Sequence, residues 1–159
     1  MSAELLIRLP DYFPSLINAM QDGFVLRGTD GTIVEVNDAF CAMVGYDRSE
    51  IVGSRPPHAW WSEDEHERFE LLCREIDNTR PLIPVNIAAS SQETRDVVGT
   101  FRLIDEVLSG SHQGAIETYV ISGAETPSDV LAVLLLMKES GLAEPGGSNA
   151  RLSITPLFE

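Results

Sequence analysis

A mixed α/β fold is what this chain predicts: a short antiparallel sheet with helices, followed by a strand-helix-strand unit with parallel strands. Two observations carry it. In the first half, Phe24-Val25-Leu26-Arg27 and Thr32-Ile33-Val34-Glu35-Val36 are β-favouring runs joined through Asp30-Gly31, residue types that both tolerate the positive φ of a hairpin turn. In the second, the run Thr118-Tyr119-Val120-Ile121 precedes a helix start at Thr126-Pro127-Ser128-Asp129, and Leu152 to Phe158 reads as a second strand. That order and spacing predict a right-handed βαβ unit, with any chemistry at the carboxyl ends of its strands.

The remaining elements follow in order. Pro10 and Pro14 break the apolar segment Leu5 to Met20, so the segment predicts only a short helix from about Pro14 to Met20. After the hairpin, Asn37 is an N-cap, Phe40, Cys41, Val44 and Tyr46 fall near helical spacing, and Gly45 closes the turn. Asp47 and Glu50 make a capping box for a single turn ended by Gly53. Arg55-Pro56-Pro57-His58 cannot continue a helix, and the next one begins near Ser62, with Glu65 three residues on, and runs to Ile76. Asp77 to Ala89, with Pro81 and Pro84, is a loop or linker. Ser90-Ser91-Gln92-Glu93 opens a helix whose Val97, Phe101, Ile104 and Leu108 share one face. The helix after Thr126 reaches Leu142 with Gly141 as its stop, and its apolar residues cover nearly every direction, so it is expected to be buried on more than one side.

Composition narrows the function classes. Hydrophobic residues make up 43% of the 159, enough for a packed core. Eleven basic against 25 acidic side chains give a formal charge of −14, which repels both nucleic acid phosphates and anionic membrane surfaces. Neither is an expected partner. Cys41 and Cys73 lie in apolar periodic segments without the paired spacing of a zinc or redox site, and both read as buried thiols. Met1 to Met20 lacks a signal-peptide core, and the apolar run Val130 to Met137 is too short for a membrane span. The expected setting is cytoplasmic and reducing.

The order of motifs in the first part carries a family resemblance. Asp22-Gly23-Phe24-Val25-Leu26, Asp30-Gly31-Thr32-Ile33-Val34-Glu35-Val36-Asn37, Ala39-Phe40, Gly45-Tyr46 and Glu50-Ile51-Val52-Gly53 together resemble a PAS domain over about residues 16–68. Pro56, Trp60 and Trp61 resemble the loop after its second short helix. The resemblance implies a five-stranded antiparallel sheet with helices across one face and a ligand held between them. Here only the first two strands and the helices are visible, and a two-stranded hairpin is marginal unless something completes it. Cys41 follows Phe40 in the first helix and is not in the Asn-Cys-Arg motif of flavin-linked relatives, and no helix supplies the histidine of haem-binding relatives. Neither cofactor is expected to be tightly bound.

A different family appears from about Phe69. Phe69-Glu70-Leu71-Leu72, Asn78-Thr79-Arg80-Pro81-Leu82, Glu93-Thr94-Arg95-Asp96-Val97, Ala115 to Ser122, Thr126 to Val133 and Pro156-Leu157-Phe158-Glu159 resemble bacterial phosphoenolpyruvate carboxylase in sequence and order. Gly123 departs from it where a methionine usually stands, and Glu144 to Asn149 look like a short insertion. The expected domains are therefore 1–68, a truncated PAS-like domain, and 69–159, a βαβ fragment of a (β/α)₈ carboxylase barrel. The resemblance implies formation of oxaloacetate and phosphate from phosphoenolpyruvate and bicarbonate on magnesium or manganese, and it gives Glu159 the role of one of two acidic metal ligands. Glu159 also reads as an ionised residue on a frayed end. The second acidic ligand, its lysine and the glycine-rich arginine loop are expected beyond residue 159. PAS-like sequence stands where the catalytic histidine is expected, and none of His58, His66 or His112 lies in the family's histidine motif.

Other candidate sites weigh less. Glu63-Asp64-Glu65-His66-Glu67 reads as a solvated helix face, Gly146-Gly147-Ser148 lacks the strand and lysine of a phosphate loop, and Trp60 and Trp61 read as a packing plug. Two functional readings stand: a non-catalytic sensory or interaction module, and a remnant or subunit of a carboxylase. Apolar faces on the helix Val97 to Leu108 and on the strands Thr118 to Ile121 and Ser153 to Phe158 have too little partner surface in one copy, which predicts self-association or partial disorder.

Overall fold

Contacts in the computed structural model, which describes residues 12–84, 86–110 and 114–157, divide the chain into two units, Met1–Ser62 and Glu63–Glu159. In the first, residues 12–18 form α1. This helix starts before Pro14, which sits in its first turn, where a missing N–H costs nothing. Strands β1 (Val25–Arg27) and β2 (Ile33–Val36) pair antiparallel, Val25 opposite Val36, with a register shift between Leu26 and Arg27. The connection is wider than a two-residue hairpin: Gly28 N–H donates to Thr32 O at 2.8 Å, and of the two turn residues only Gly31 has a positive φ, 79°. Asp30 instead accepts from Thr32 N–H at 3.1 Å and pairs with Arg55.

Asn37 organises this unit. It caps α2 (Asp38–Val44), and its fully buried side chain uses all of its close bonding capacity. Oδ1 accepts from Phe24 N–H at 2.8 Å and Phe40 N–H at 2.9 Å, while Nδ2 donates to the carbonyls of Ile17 and Asp22, each at 2.9 Å. One amide thus ties α1, the start of β1 and α2 together. The predicted capping box starts α3 (Arg48–Ile51), and Gly45 closes α2. The outer edge of β2 is partly satisfied from within: Ile33 N–H donates to Ser54 O at 3.0 Å, and Ile33 O accepts from Gly53 N–H at 2.8 Å. The core is Ile33, Val36 and Ile51, with Phe40, Tyr46 and Trp60 packed against it.

The second unit is built from α4 (Glu63–Asp77), α5 (Gln92–Ser109), β3 (Thr118–Ile121), α6 (Pro127–Glu139), a 3₁₀ turn (Pro145–Gly147) and β4 (Ser153–Pro156). Strands β3 and β4 are parallel, with Thr118 opposite Ser153 and Ile121 opposite Pro156, the predicted strand-helix-strand order. It is a two-stranded sheet and closes no barrel. Between Ser128 and Ser140 no position of α6 is fully exposed, and the helix packs on α4, α5, β4 and the 3₁₀ turn. It ends at Glu139 and does not reach Leu142. Gly141, at φ 87°, lets its N–H reach Lys138 O at 3.3 Å while Leu142 N–H reaches Met137 O at 2.8 Å, the Schellman arrangement with Leu142 and Met137 both buried in the core.

Three expectations are corrected. The inward face of α5 is Val98, Phe101, Ile104 and Leu108, and Val97 is 44% exposed. That face is covered within the unit, so it does not lack a partner. Cys41 and Cys73 are half-buried, not buried; both are unpaired, and burial pushes both thiols up in pKa. Among the described residues no helix is long and apolar enough to cross a membrane.

Candidate functional site

The carboxyl ends of β3 and β4 meet at one rim. Leu157 N–H donates to Ile121 O at 2.8 Å, so the pairing continues one residue beyond β4. From Ile121 the chain turns through Gly123 to Thr126, the N-cap of α6, which brings the positive end of that helix to the end of β3. Asp129 closes the capping box: Oδ2 accepts from the N–H groups of Glu125 and Thr126, both at 3.0 Å, and Oδ1 accepts from Arg68 Nη2 at 2.9 Å. The Thr126 amide first, then the Glu125 amide, and Arg68 hold its carboxyl below the ordinary aspartate range.

A second carboxylate arrives from α4. Glu65 is 8% exposed, and its Oε1 accepts from Ser128 N–H at 3.0 Å, in the first turn of α6. This corrects the reading of residues 63–67 as one solvated face: Glu63, Asp64 and Glu67 are exposed, but Glu65 is turned inward. The physical cause is the set of N–H groups that a helix start leaves without intrahelical partners. Sequence reasoning placed Glu65 in a capping box with Ser62 and missed its bond to α6, and it missed Arg68 altogether, although the proline and aspartate that open α6 mark the helix end they serve.

Glu159 and His112 lie outside the described residues. At the rim, Asp129 and Glu65 both serve the start of α6, and among the described residues no three His, Cys, Asp or Glu side chains stand together as cation ligands. Gly146-Gly147-Ser148 folds back on itself, with Gly147 N–H on Glu144 O and Glu144 N–H on Ser148 O, both at 3.0 Å.

In the first unit, aromatic side chains pack together beside the hairpin. His58, 1% exposed, stacks on Trp60 with ring centres 4.4 Å apart and planes 5° apart, and its Nδ1 lies 3.2 Å from Ser54 Oγ. Trp60 also meets Phe40 edge-on at 5.9 Å. The plug reading fits this packing, and His58 is a member of it that the sequence did not reveal.

Comparison with known proteins finds two family matches, which overlap between residues 49 and 81. Residues 12–81 match the PAS domain family model, and residues 49–159 match that of phosphoenolpyruvate carboxylase. The chain is 47% identical over 96 residues to a phosphoenolpyruvate carboxylase of Roseiflexus castenholzii, and 48% identical over 96 residues to one of Chromohalobacter salexigens. Each alignment covers 60% of this chain and 10% of the relative. A phosphoenolpyruvate carboxylase of Escherichia coli is 46% identical over 99 residues, 62% of this chain and 10% of the relative. The chain thus spans about a tenth of the length of these curated relatives. No solved structure matches. With a model match from residue 49 to residue 159, preceded by a PAS domain match, the chain belongs to the phosphoenolpyruvate carboxylase family.

Proposed function

We propose that this chain is a PAS-type sensory or interaction module fused to a stretch of phosphoenolpyruvate carboxylase that is non-catalytic by itself. The observation that carries the reading is that Asp129 and Glu65, at the end of β3, are both bonded to the start of α6. Glu159 remains the one residue proposed as a ligand for magnesium or manganese, an ion that takes one or two protein carboxylates together with substrate phosphates. The PAS-like unit is proposed to work without tightly bound flavin or haem, a reading supported by the packing of His58 and Phe40 on Trp60 beside the hairpin. A cytoplasmic, reducing setting is supported by the two unpaired thiols.

A second reading has one observation in its favour. Among the described residues sheet β3-β4 has no third strand, so a larger assembly could extend it and give the chain a place in an enzyme that forms oxaloacetate from phosphoenolpyruvate and bicarbonate. One assay separates the readings: phosphoenolpyruvate, bicarbonate and magnesium, with oxaloacetate followed through malate dehydrogenase. The expected result is no bicarbonate-dependent turnover. Turnover by the chain that disappears in Glu159→Gln would overturn the non-catalytic reading.

A further inference from the structure

The loop after α4 is held against the second unit by one buried carboxylate. The side chain of Glu139, on the last turn of α6, is 1% exposed, and that of Lys138 beside it 5%. Glu139 Oε2 accepts from two consecutive backbone N–H groups, those of Leu82 and Ile83, each at 2.8 Å. Its other oxygen takes a bond from Lys138 Nζ at 2.8 Å, and Lys138 also donates to Glu75 O on α4 at 3.0 Å. A second tie comes from α5, where Arg102 Nη2 donates to Pro84 O at 3.2 Å.

The loop held this way is a wall between two cavities. Ile83 borders a groove of about 300 Å³, lined with Val97, Val98 and Leu136 from α5 and α6. Thr79 and Pro81 border a cavity of about 190 Å³ whose other side is Lys138, Glu139 and Pro145. Helix packing alone does not place this loop: Leu82 is 50% exposed, so little apolar burial holds it.

We propose that Thr79–Ile83 is a strap and Glu139 its latch, so that this one carboxylate decides whether the apolar groove between α5 and α6 is walled or open. Burial alone would push the Glu139 carboxyl up, but the Ile83 amide, Lys138 and the Leu82 amide outweigh it and hold it below the ordinary glutamate value. The latch is closed at neutral pH, and its opening requires a competitor for the two amides or loss of the charge. A strap of this kind lets the groove be exposed without unfolding the helices that form it, because the bonds broken lie outside the helical ladders.

The test is amide hydrogen exchange, residue by residue, on the full chain. In Glu139→Gln one acceptor oxygen remains but the charge is gone. In Lys138→Met/Glu139→Ala the latch is absent and no buried ammonium is left behind. Exchange at Leu82 and Ile83 is expected to speed up about ten- to a hundredfold in the double variant, the factor that loss of a hydrogen bond to a charged group carries, and by less in Glu139→Gln. Amides in α4, α5 and the middle of α6 are expected to change less than about twofold, and an apolar dye such as anilinonaphthalene sulfonate is expected to bind more tightly. Unchanged exchange at Leu82 and Ile83 would overturn the proposal. So would an equal loss of protection across α6, which would make Glu139 an ordinary stabilising residue.

Discussion

Glu65 and Ser128 lie on different helices, 63 positions apart, and the carboxylate of the first accepts the backbone N–H of the second at 3.0 Å. The bond joins the side of α4 to the first turn of α6, where the helix dipole favours an anion. Because Glu65 is nearly buried, removing it strips a charge-assisted bond and leaves an N–H facing an emptied site. Glu65→Ala is expected to destabilise the chain by about 1.5–3 kcal/mol, and Glu65→Gln, which keeps an acceptor oxygen, by less. Urea unfolding followed by far-ultraviolet circular dichroism measures both, and equal midpoints for Glu65→Ala and the original chain would refute the role.

Asn37 makes a sharper case. Its amide bonds to four backbone groups, so substitutions that look alike have different costs. Asn37→Asp keeps the two acceptor bonds but loses both donors, leaving the carbonyls of Ile17 and Asp22 against a carboxylate. Asn37→Ser keeps the cap alone. Both are expected to cost about 2–4 kcal/mol, more than the roughly 1 kcal/mol of a simple N-cap loss. An Asn37→Asp variant as stable as the parent would mean the donor bonds to α1 and Asp22 carry no weight.

What could be read from the chain, and what could not, divides along range in sequence. Asn37, Asp47, Thr126 and Asp129 act within three or four residues of themselves, so their capping roles are written locally. The other bonds of Asn37, and the turning inward of Glu65, depend on groups 13 to 63 positions away, which no local period encodes. The exchange of Val97 for Val98 on the buried face of α5 has a related cause. Both fit helical spacing with Phe101, and only the packed neighbours decide between positions about 100° apart on the helix. Parallel pairing of β3 and β4 was legible because a helix between two strands imposes it. The role of Glu159 lies outside the described residues.

The acid limit of stability is expected to depend on Asp129. Its carboxyl is held below its ordinary value of 3.8 by the amides of Thr126 and Glu125 and by Arg68. A depressed folded-state value means that the stabilisation is fully present above the unfolded value and lost as pH falls through the lower folded one. Asp129→Asn is therefore expected to lower stability at pH 7 and to flatten the loss of stability below about pH 4. Thermal melts from pH 7 to pH 3 check this, and parallel pH profiles for the two proteins would sink it.

Self-association is expected through the sheet that α6 leaves two-stranded. Val120 is 55% exposed on β3 and Leu157 45% exposed just past β4, and among the described residues no third strand pairs with either β3 or β4. Opposing this, a formal charge of −14 on each copy makes close approach costly at low ionic strength. Raising salt from about 0.1 M to 1 M shortens the screening length from about 10 Å to 3 Å, which weakens the repulsion but leaves apolar contact and backbone pairing intact. Association is thus expected to strengthen with salt, the reverse of an assembly held by ion pairs. Val120→Lys, which places a charge on the exposed sheet face, is expected to shift the equilibrium back towards monomer. Sedimentation velocity across a hundredfold range of concentration at both salt levels decides it: a single monomeric species throughout, or association that weakens as salt rises, would exclude the sheet as the interface.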